Sequence, residues 1–284
     1  MTASIIDGRA VSKTVQEQIT QEVKQMVEKG LPPPGLAVIL VGENPASQIY
    51  VRNKKASCAR VGFYAEEYLL PASTKEEELK NLIIKLNTDP RIHGILLQLP
   101  LPRGLKEKNM LELIAPEKDV DCFHPMNIGN LFLGKPTFLP CTPAGIMELL
   151  KHENIDLQGK KAVVIGRSNI VGKPMAMMLL QEHATVTICH SRTLDIPAIT
   201  KNADIIVVAI GQANFLTADM VSEGQIIIDV GQNKVGEKLV GDVDYDAVAQ
   251  KVAKITPVPG GVGPMTITML LQNTLQAKKL QQKT

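Results

Sequence analysis

Three side chains near the start of the chain are of the right types and spacing to do chemistry together. Ser47, Tyr50 and Lys54 stand at i, i+3 and i+7 in the run Asn44–Lys55, so on a helix they share one face. An apolar stretch, Leu36–Val41, and a turn of Gly42, Glu43, Asn44 and Pro45 come first. The far side of such a turn, outside the carboxyl end of a strand, is where open α/β sheets bind ligands. A hydroxyl, a phenol and an amine in that position are what an α/β enzyme would hold over a substrate. From this segment alone, a surface helix with a solvated Tyr and Lys reads the same.

A second group has the character of a nucleotide loop. The apolar run Ala162–Ile165 is followed by Gly166-Arg167-Ser168-Asn169-Ile170-Val171-Gly172-Lys173-Pro174 and then by a helical pattern. This is not Gly-x-Gly-x-x-Gly: Ser168 takes the second glycine position and Gly172 lies one residue late. Backbone amides at a helix N-terminus can still receive a pyrophosphate, and Ser168 adds a hydroxyl. A tight βα turn without a ligand is the alternative. The following strand, Thr185–Cys189, ends in His190-Ser191-Arg192-Thr193, with no acid before Asp195. An NAD site carries an acid near this point for the ribose hydroxyl. Ser191 and Arg192, with Arg167 nearby, instead suit a 2′-phosphate. NADP is the expected cofactor.

Three further features are polar where the pattern is otherwise apolar or irregular. Gln98 lies in the apolar strand ending at Leu99 and needs a partner or a cleft to face. Asp121, in Asp119-Val120-Asp121-Cys122-Phe123, can take hydrogen bonds from a ligand or cap a turn. Val258–Thr266 is a glycine-proline loop whose backbone can approach a ligand closely, or simply connect two elements.

The elements that must position these groups follow a βα alternation. Val11, Val15, Ile19 and Val23 give a helical stripe over residues 8–29, stopped by Gly30 and Pro32-Pro33-Pro34. Strand 36–41, helix 47–58, strand 64–70, helix 73–86 (capped by Ser73 or Thr74) and strand 92–99 imply a parallel sheet. Residues 119–143 are rich in Gly, Pro and Asn and read as a long connection with a domain boundary, after which Pro143 starts a helix to about Lys151. Strand 162–165, helix 172–183, strand 185–189, helix 196–201 and strands 204–210 and 226–230 make a dinucleotide-type half. A final helix over 266–282 could return to the first domain.

Composition narrows the class. The chain has 284 residues, 44% hydrophobic and 21% charged, with net charge +2. Charge is scattered, so neither nucleic acid nor a membrane surface is expected as a partner. There is no run of about 18 apolar residues. Four distant cysteines and five histidines without metal spacing point to reduced thiols, a cytoplasmic location and no metal.

Taken in order, Pro45-Ala46-Ser47-x-x-Tyr50-x-x-x-Lys54, Gln98-Leu99-Pro100-Leu101-Pro102, Asp119-Val120-Asp121, Pro140-Cys141-Thr142-Pro143-x-Gly145, Gly166-Arg167-Ser168-x-Ile170-Val171-Gly172-x-Pro174 and Pro259-Gly260-Gly261-Val262-Gly263-Pro264-Met265-Thr266 closely resemble the bifunctional methylenetetrahydrofolate dehydrogenase/methenyltetrahydrofolate cyclohydrolase family. The resemblance runs essentially end to end. It implies two α/β domains around a folate cleft: residues 1–139, with 266–284 returning to them, and a Rossmann-like NADP domain over 140–265. The implied reactions are oxidation of 5,10-methylenetetrahydrofolate by NADP and hydrolysis of the methenyl product to 10-formyltetrahydrofolate, by a homodimer. Lys54 would be the catalytic lysine, assisted by Gln98, with Tyr50 stacked on the folate and Asp121 on the pterin. Ser47, Leu97, Leu99, Pro259, Gly260, Gly261, Val262, Pro264 and Thr266 would complete the folate site. Thr142, Gly166, Arg167, Ser168, Ile170, Ser191, Arg192 and Gln232 would hold NADP. Two positions depart from the family: Cys122 replaces a usual glycine, costing about 1–2 kcal/mol if φ is positive there, and Gln232 replaces an apolar residue. A short-chain dehydrogenase also joins Tyr-x-x-x-Lys to a nucleotide loop, but in the reverse order. A non-catalytic α/β binding protein would need neither Lys54 nor Gln98.

Overall fold

Helix α1 (Gly8–Glu28) buries Val11, Val15, Ile19 and Val23, one residue per turn, and is preceded by the two-residue strand β1 (Ser4–Ile5). The structure, a computed structural model, describes residues 2–282. By its contacts the chain forms two units. One, here the small-sheet unit, holds Thr14–Cys141 and Ile267–Thr284; the other, the large-sheet unit, holds Thr142–Thr266 with the first thirteen residues.

The small-sheet unit alternates β2 (Gly35–Val41), α2 (Pro45–Arg60), β3 (Tyr64–Leu70), α3 (Glu76–Thr88) and β4 (Gly94–Leu97), followed by α4 (Glu107–Leu113) and α5 (Pro125–Phe132). All three strands are parallel in the order β3-β2-β4. Every residue of the central β2 is buried, as a strand covered on both faces requires. Ala37, Ile39, Val41, Ile95 and Leu97 pack with Leu79, Ile83 and Leu86 of α3. Two expectations are corrected here. Helix α3 starts at Glu76, with no side-chain cap, because the Thr74 hydroxyl donates to the Pro71 carbonyl (2.7 Å) and so closes the preceding turn. The long connection contains α5, whose first turn is set by Pro125 and by His124 Nδ1 accepting from the Met126 amide (3.1 Å).

The large-sheet unit takes in α6 (Cys141–His152) from Thr142 onward, then β5 (Lys161–Ile165), α7 (Gly172–Gln181), β6 (Thr185–Cys189), α8 (Ile196–Thr200), β7 (Ile205–Val208), β8 (Ile226–Asp229), the hairpin β9 (Asn233–Val235) and β10 (Lys238–Val240), α9 (Tyr245–Val248) and β11 (Lys254–Ile255). Its six-stranded sheet runs β1-β11-β8-β7-β5-β6, all parallel. The pairing of Ser4 and Ile5 with Lys254 and Ile255 is why the chain start groups with this sheet and not with the residues that follow it. The core is Val163, Ile165, Ile206, Val208, Ile227 and Ile255 with Val243, Val248 and Val252.

The last helix, α10 (Val262–Gln281), begins four residues before the expected start. Pro264 lies in its first turn, where a missing N–H costs no bond, so Val262–Thr266 is helix and not loop. From Ile267 the helix belongs to the small-sheet unit. There Gln16 of α1 donates to Thr268 Oγ1 (3.0 Å), Asn273 Nδ2 donates to the carbonyls of Val120 and Leu139 (2.8 Å each), and Gln281 Nε2 to those of His93 and Glu117 (2.9 Å each). Residues 283 and 284 of the expected C-terminal segment lie outside the described residues. Among those described, no helix is long and apolar enough to cross a membrane.

Candidate active site

Helix α2 is started by Pro45 and by Asn44, whose Oδ1 accepts from the Ser47 amide (3.1 Å). Its buried stripe is Ser47, Val51, Lys54, Ser57 and Cys58, so polar groups occupy positions where a structural helix would place apolar ones. Lys54 is only 8% exposed. Tyr50 flanks the stripe at 38% exposure, and burial of its inner part pushes the phenol pKa up.

Gln98 meets Lys54 because β2 and β4 are neighbours. Its amide continues the ladder to the Ile39 carbonyl (2.8 Å), its Nε2 donates to the Leu99 carbonyl (2.8 Å), and its Oε1 accepts from Lys54 Nζ (2.9 Å). An ammonium only donates, so the amide must present oxygen to it. Leu97 points into the core, leaving its main chain for any ligand, whereas Leu99 is partly exposed.

The segment after α4 runs beside β4, with the Ile95 amide bonded to the Lys118 carbonyl (2.8 Å). Asp119 is spent on structure: it accepts from the amides of Phe123 and His124 and from Asn127 Nδ2 (3.1, 2.8 and 2.8 Å). Asp121, two residues on, faces Lys54 electrostatically. Burial holds the Lys54 pKa below that of a free lysine, opposed chiefly by the Asp121 carboxylate. Burial likewise raises Asp121, opposed chiefly by Lys54. The thiols of Cys58, pushed up to about 12 by burial, and Cys141, which burial holds well above the ordinary thiol range, stay protonated at neutral pH. Cys141 Sγ donates to the Val120 carbonyl (3.4 Å) and lies 3.7 Å from Asn273 Nδ2. Neither position is marked by its own chemistry: Cys141 is one residue of Pro140-Cys141-Thr142-Pro143, and nothing local to Asn273 points to these contacts. Cys122 has φ +61°, is fully buried, and donates Sγ–H to the Phe138 carbonyl (3.3 Å). The position therefore does require the left-handed backbone that a glycine would supply freely.

In the large-sheet unit the chain passes from β5 to its neighbour β6 and then to β7 on the other side, a switch point where doubly wound sheets bind nucleotides. Gly166 follows β5 with φ +130°, and a Cβ there would lie 2.3 Å from the Ala209 carbonyl oxygen. Ser168 Oγ accepts from the amides of Val171 and Gly172 (3.1 and 3.2 Å). Its hydroxyl proton remains available to point outward. Arg167, Ser168 and Ile170 are exposed. At the end of β6, Thr193 Oγ1 accepts from the His190 amide (2.9 Å) and His190 Nδ1 from the Arg192 amide (3.1 Å), leaving Ser191 and Arg192 exposed. Asp195, the first acid beyond β6, caps α8 by accepting from the Ala198 amide (3.2 Å). A tight loop at a helix N-terminus, a cation and hydroxyls where a 2′-phosphate falls, and an acid committed elsewhere all fit NADP.

Elsewhere in this unit, Thr142 and Thr266 share a hydrogen bond (3.0 Å) and the Gly261 amide donates to the Pro257 carbonyl (2.8 Å). Val262 is buried, while Pro259 is exposed, Pro264 and Thr266 are partly so, and Gly260 has φ +115°. Gln232 is exposed, with Nε2 against Gly263.

Residues 6–121 match the family described as tetrahydrofolate dehydrogenase/cyclohydrolase, catalytic domain, and residues 140–282 match its NAD(P)-binding domain. The chain belongs to the tetrahydrofolate dehydrogenase/cyclohydrolase family. It is 57% identical over 280 residues to the bifunctional protein FolD of Moorella thermoacetica, covering 98% of this chain and 100% of that one. Among solved structures, FolD of Campylobacter jejuni superposes with a TM-score of 0.96 at 50% identity, covering 98% and 99% of the two chains. The Trypanosoma brucei FolD, solved with NADP and an inhibitor, gives 0.96 at 41% identity, with 100% of each chain covered.

Proposed function

We infer that Lys54 is the acid–base residue of a bifunctional one-carbon folate enzyme. In this reading the protein oxidises 5,10-methylenetetrahydrofolate with NADP and then hydrolyses 5,10-methenyltetrahydrofolate to 10-formyltetrahydrofolate. The activities come with family membership; the observation that carries the residue assignment is a desolvated lysine fixed on Gln98. When bound, NADP supplies the hydride acceptor. The chain's part in that step is alignment of two carbons, which needs no acid or base of unusual strength.

Hydrolysis does need one. The methenyl carbon is part of an amidinium-like cation, and water must lose a proton as it adds. Burial favours neutral Lys54, which accepts that proton and returns one to the departing ring nitrogen; the overall step consumes water and releases one proton. Gln98 Oε1 keeps Nζ in place through both transfers. Tyr50 stacks on the folate, Asp121 binds the pterin, and Ser47, Leu97 and Leu99 border it. Thr142, Gly166, Arg167, Ser168, Ile170, Ser191, Arg192 and Gln232 are assigned to NADP, and Pro259, Gly260, Gly261, Val262, Pro264 and Thr266 to folate. Residues 1–139 with 266–284 are read as the folate domain and 140–265 as the NADP domain. A cytoplasmic homodimer without nucleic-acid or membrane partners completes the reading, supported by the family resemblance and the scattered charge.

The test is Lys54→Met. Added methenyltetrahydrofolate, followed by its absorbance, should persist with the variant and disappear with the native chain, while NADP affinity stays within about twofold. Retained hydrolysis would sink the assignment.

A further inference from the structure

At the carboxyl end of the large sheet one fully buried carboxylate, Asp242, is bonded to two separate loops. Oδ2 accepts from the amides of Ile210 and Gly211 (2.8 and 2.9 Å), just beyond β7. Oδ1 accepts from Asn233 Nδ2 (2.8 Å), at the start of the hairpin beyond β8. The Asp242 amide in turn donates to Asp229 Oδ1 (2.9 Å), and Asp229, the last residue of β8, also accepts from the amides of Gly231 and Val243 (2.9 and 3.0 Å). Two carboxylates thus take their hydrogen bonds from neutral amides. A buried ion is expensive unless its lone pairs are filled, and here each bond also satisfies a loop amide that would otherwise lack an acceptor.

The loops so held are placed by topology where a nucleotide lies. Strand β7 is the neighbour of β5, and the Ala209 carbonyl sits against Gly166, the first residue of the nucleotide loop. Ile210 and Gly211 therefore continue the floor of the switch point, and Gln232 and Asn233 leave the next strand at the same end of the sheet. Neither Asp229 nor Asp242 is exposed, so neither side chain offers surface to a ligand.

We propose that Asp242 is a positioning residue for the dehydrogenase reaction, fixing the loops after β7 and β8 against the cofactor while taking no part in hydrolysis. The proposal rests on the reading of this sheet as the NADP site. It is tested on the full chain, with hydrolysis of methenyltetrahydrofolate in the absence of NADP as the internal control.

Asp242→Ala strips two buried amides of their acceptor and should raise the KM for NADP about tenfold, leaving the kcat of hydrolysis within about twofold. Asp242→Asn keeps an acceptor but turns an amide NH2 toward Asn233, and should give an intermediate rise of about threefold. That variant is read in place of alanine if the latter does not fold. An unchanged KM for NADP in a folded variant, or equal losses in both activities, would overturn the proposal. A native chain that hydrolyses the methenyl compound but never reduces NADP would instead remove the cofactor reading itself, and with it this proposal.

Discussion

The two units place chemistry in opposite ways. In the small-sheet unit the group proposed to react is an ionisable side chain taken out of water: Lys54 on α2, steadied by Gln98 after β4 and facing Asp121 from the adjoining segment. In the large-sheet unit, the contacts proposed for the cofactor come from backbone and from exposed side chains, Arg167, Ser168, Ser191 and Arg192, while the buried carboxylates Asp229 and Asp242 hold loops. Burial acts on the group proposed to react in the first case and on carboxylates that hold loop shape in the second. Substitutions in the first should therefore abolish a reaction, and substitutions in the second should shift an affinity or a stability.

The sharpest break of that contrast is Lys54→Met. Loss of a positioned acid–base group typically costs about 10²–10⁴ in rate, so hydrolysis should fall by at least about a hundredfold with NADP affinity kept. In the native chain, hydrolysis should rise as pH increases through the depressed Lys54 pKa, since the neutral amine is the proposed base. A profile with no rise at any pH below the ordinary lysine value would remove the base role.

Asp229 sharpens the other side. Its pKa is raised to about 6, mainly by burial and partly by Asp242, against the pull of the amides of Asp242, Val243 and Gly231. A carboxyl whose folded pKa exceeds its unfolded value binds protons more tightly when folded. Its contribution is fully present below about 4 and is lost as pH rises through about 6. The size of the effect is of the order of 3 kcal/mol. Urea unfolding of the native chain and of Asp229→Asn at a series of pH values should show the native chain gaining stability relative to the variant as pH falls from 7 to 4. Parallel profiles would contradict the assignment.

Arg192→Ala tests whether the exposed surface discriminates. A charge-assisted contact to a 2′-phosphate, weakened by exposure to solvent and salt, is worth about tenfold in KM for NADP, with the KM for NAD nearly unchanged. Equal changes for both cofactors would defeat the 2′-phosphate reading.

Much of this arrangement was legible in the residues because it is local. The βα alternation, the shared face of Ser47, Tyr50 and Lys54, and the absence of an acid after β6 all depend on spacing within one or two elements. What escaped was non-local. Nothing near Ser4 announces pairing with Lys254, and nothing near Asn273 announces bonds to Val120 and Leu139. Asp229 reads as a polar strand end and Asp242 as an ordinary loop acid until the sheet brings them together. The β9–β10 hairpin did carry a signal, a Gly236-Glu237 turn between short alternating runs, with Gly236 at φ +60°. The late start expected for α10 follows from reading Val258–Thr266 by composition as a glycine-proline loop, whereas Pro264 sits in the first turn of the helix.

Cys122 offers the smallest test, and it separates backbone from packing at one residue. Its φ of +61° costs a side-chain-bearing residue about 1–2 kcal/mol, and its buried thiol offsets this by filling space beside Phe138 and bonding its carbonyl. Cys122→Ala keeps the backbone cost and leaves a cavity, so it should lower stability by about 1–2 kcal/mol. Cys122→Gly leaves a slightly larger cavity but removes the backbone cost, so it should be the more stable of the two by about 1 kcal/mol. Urea midpoints at equal slope decide the order. If the alanine variant is the more stable, strain at this turn is not what the thiol offsets, and the geometry that presents Asp121 to Lys54 is held by packing alone.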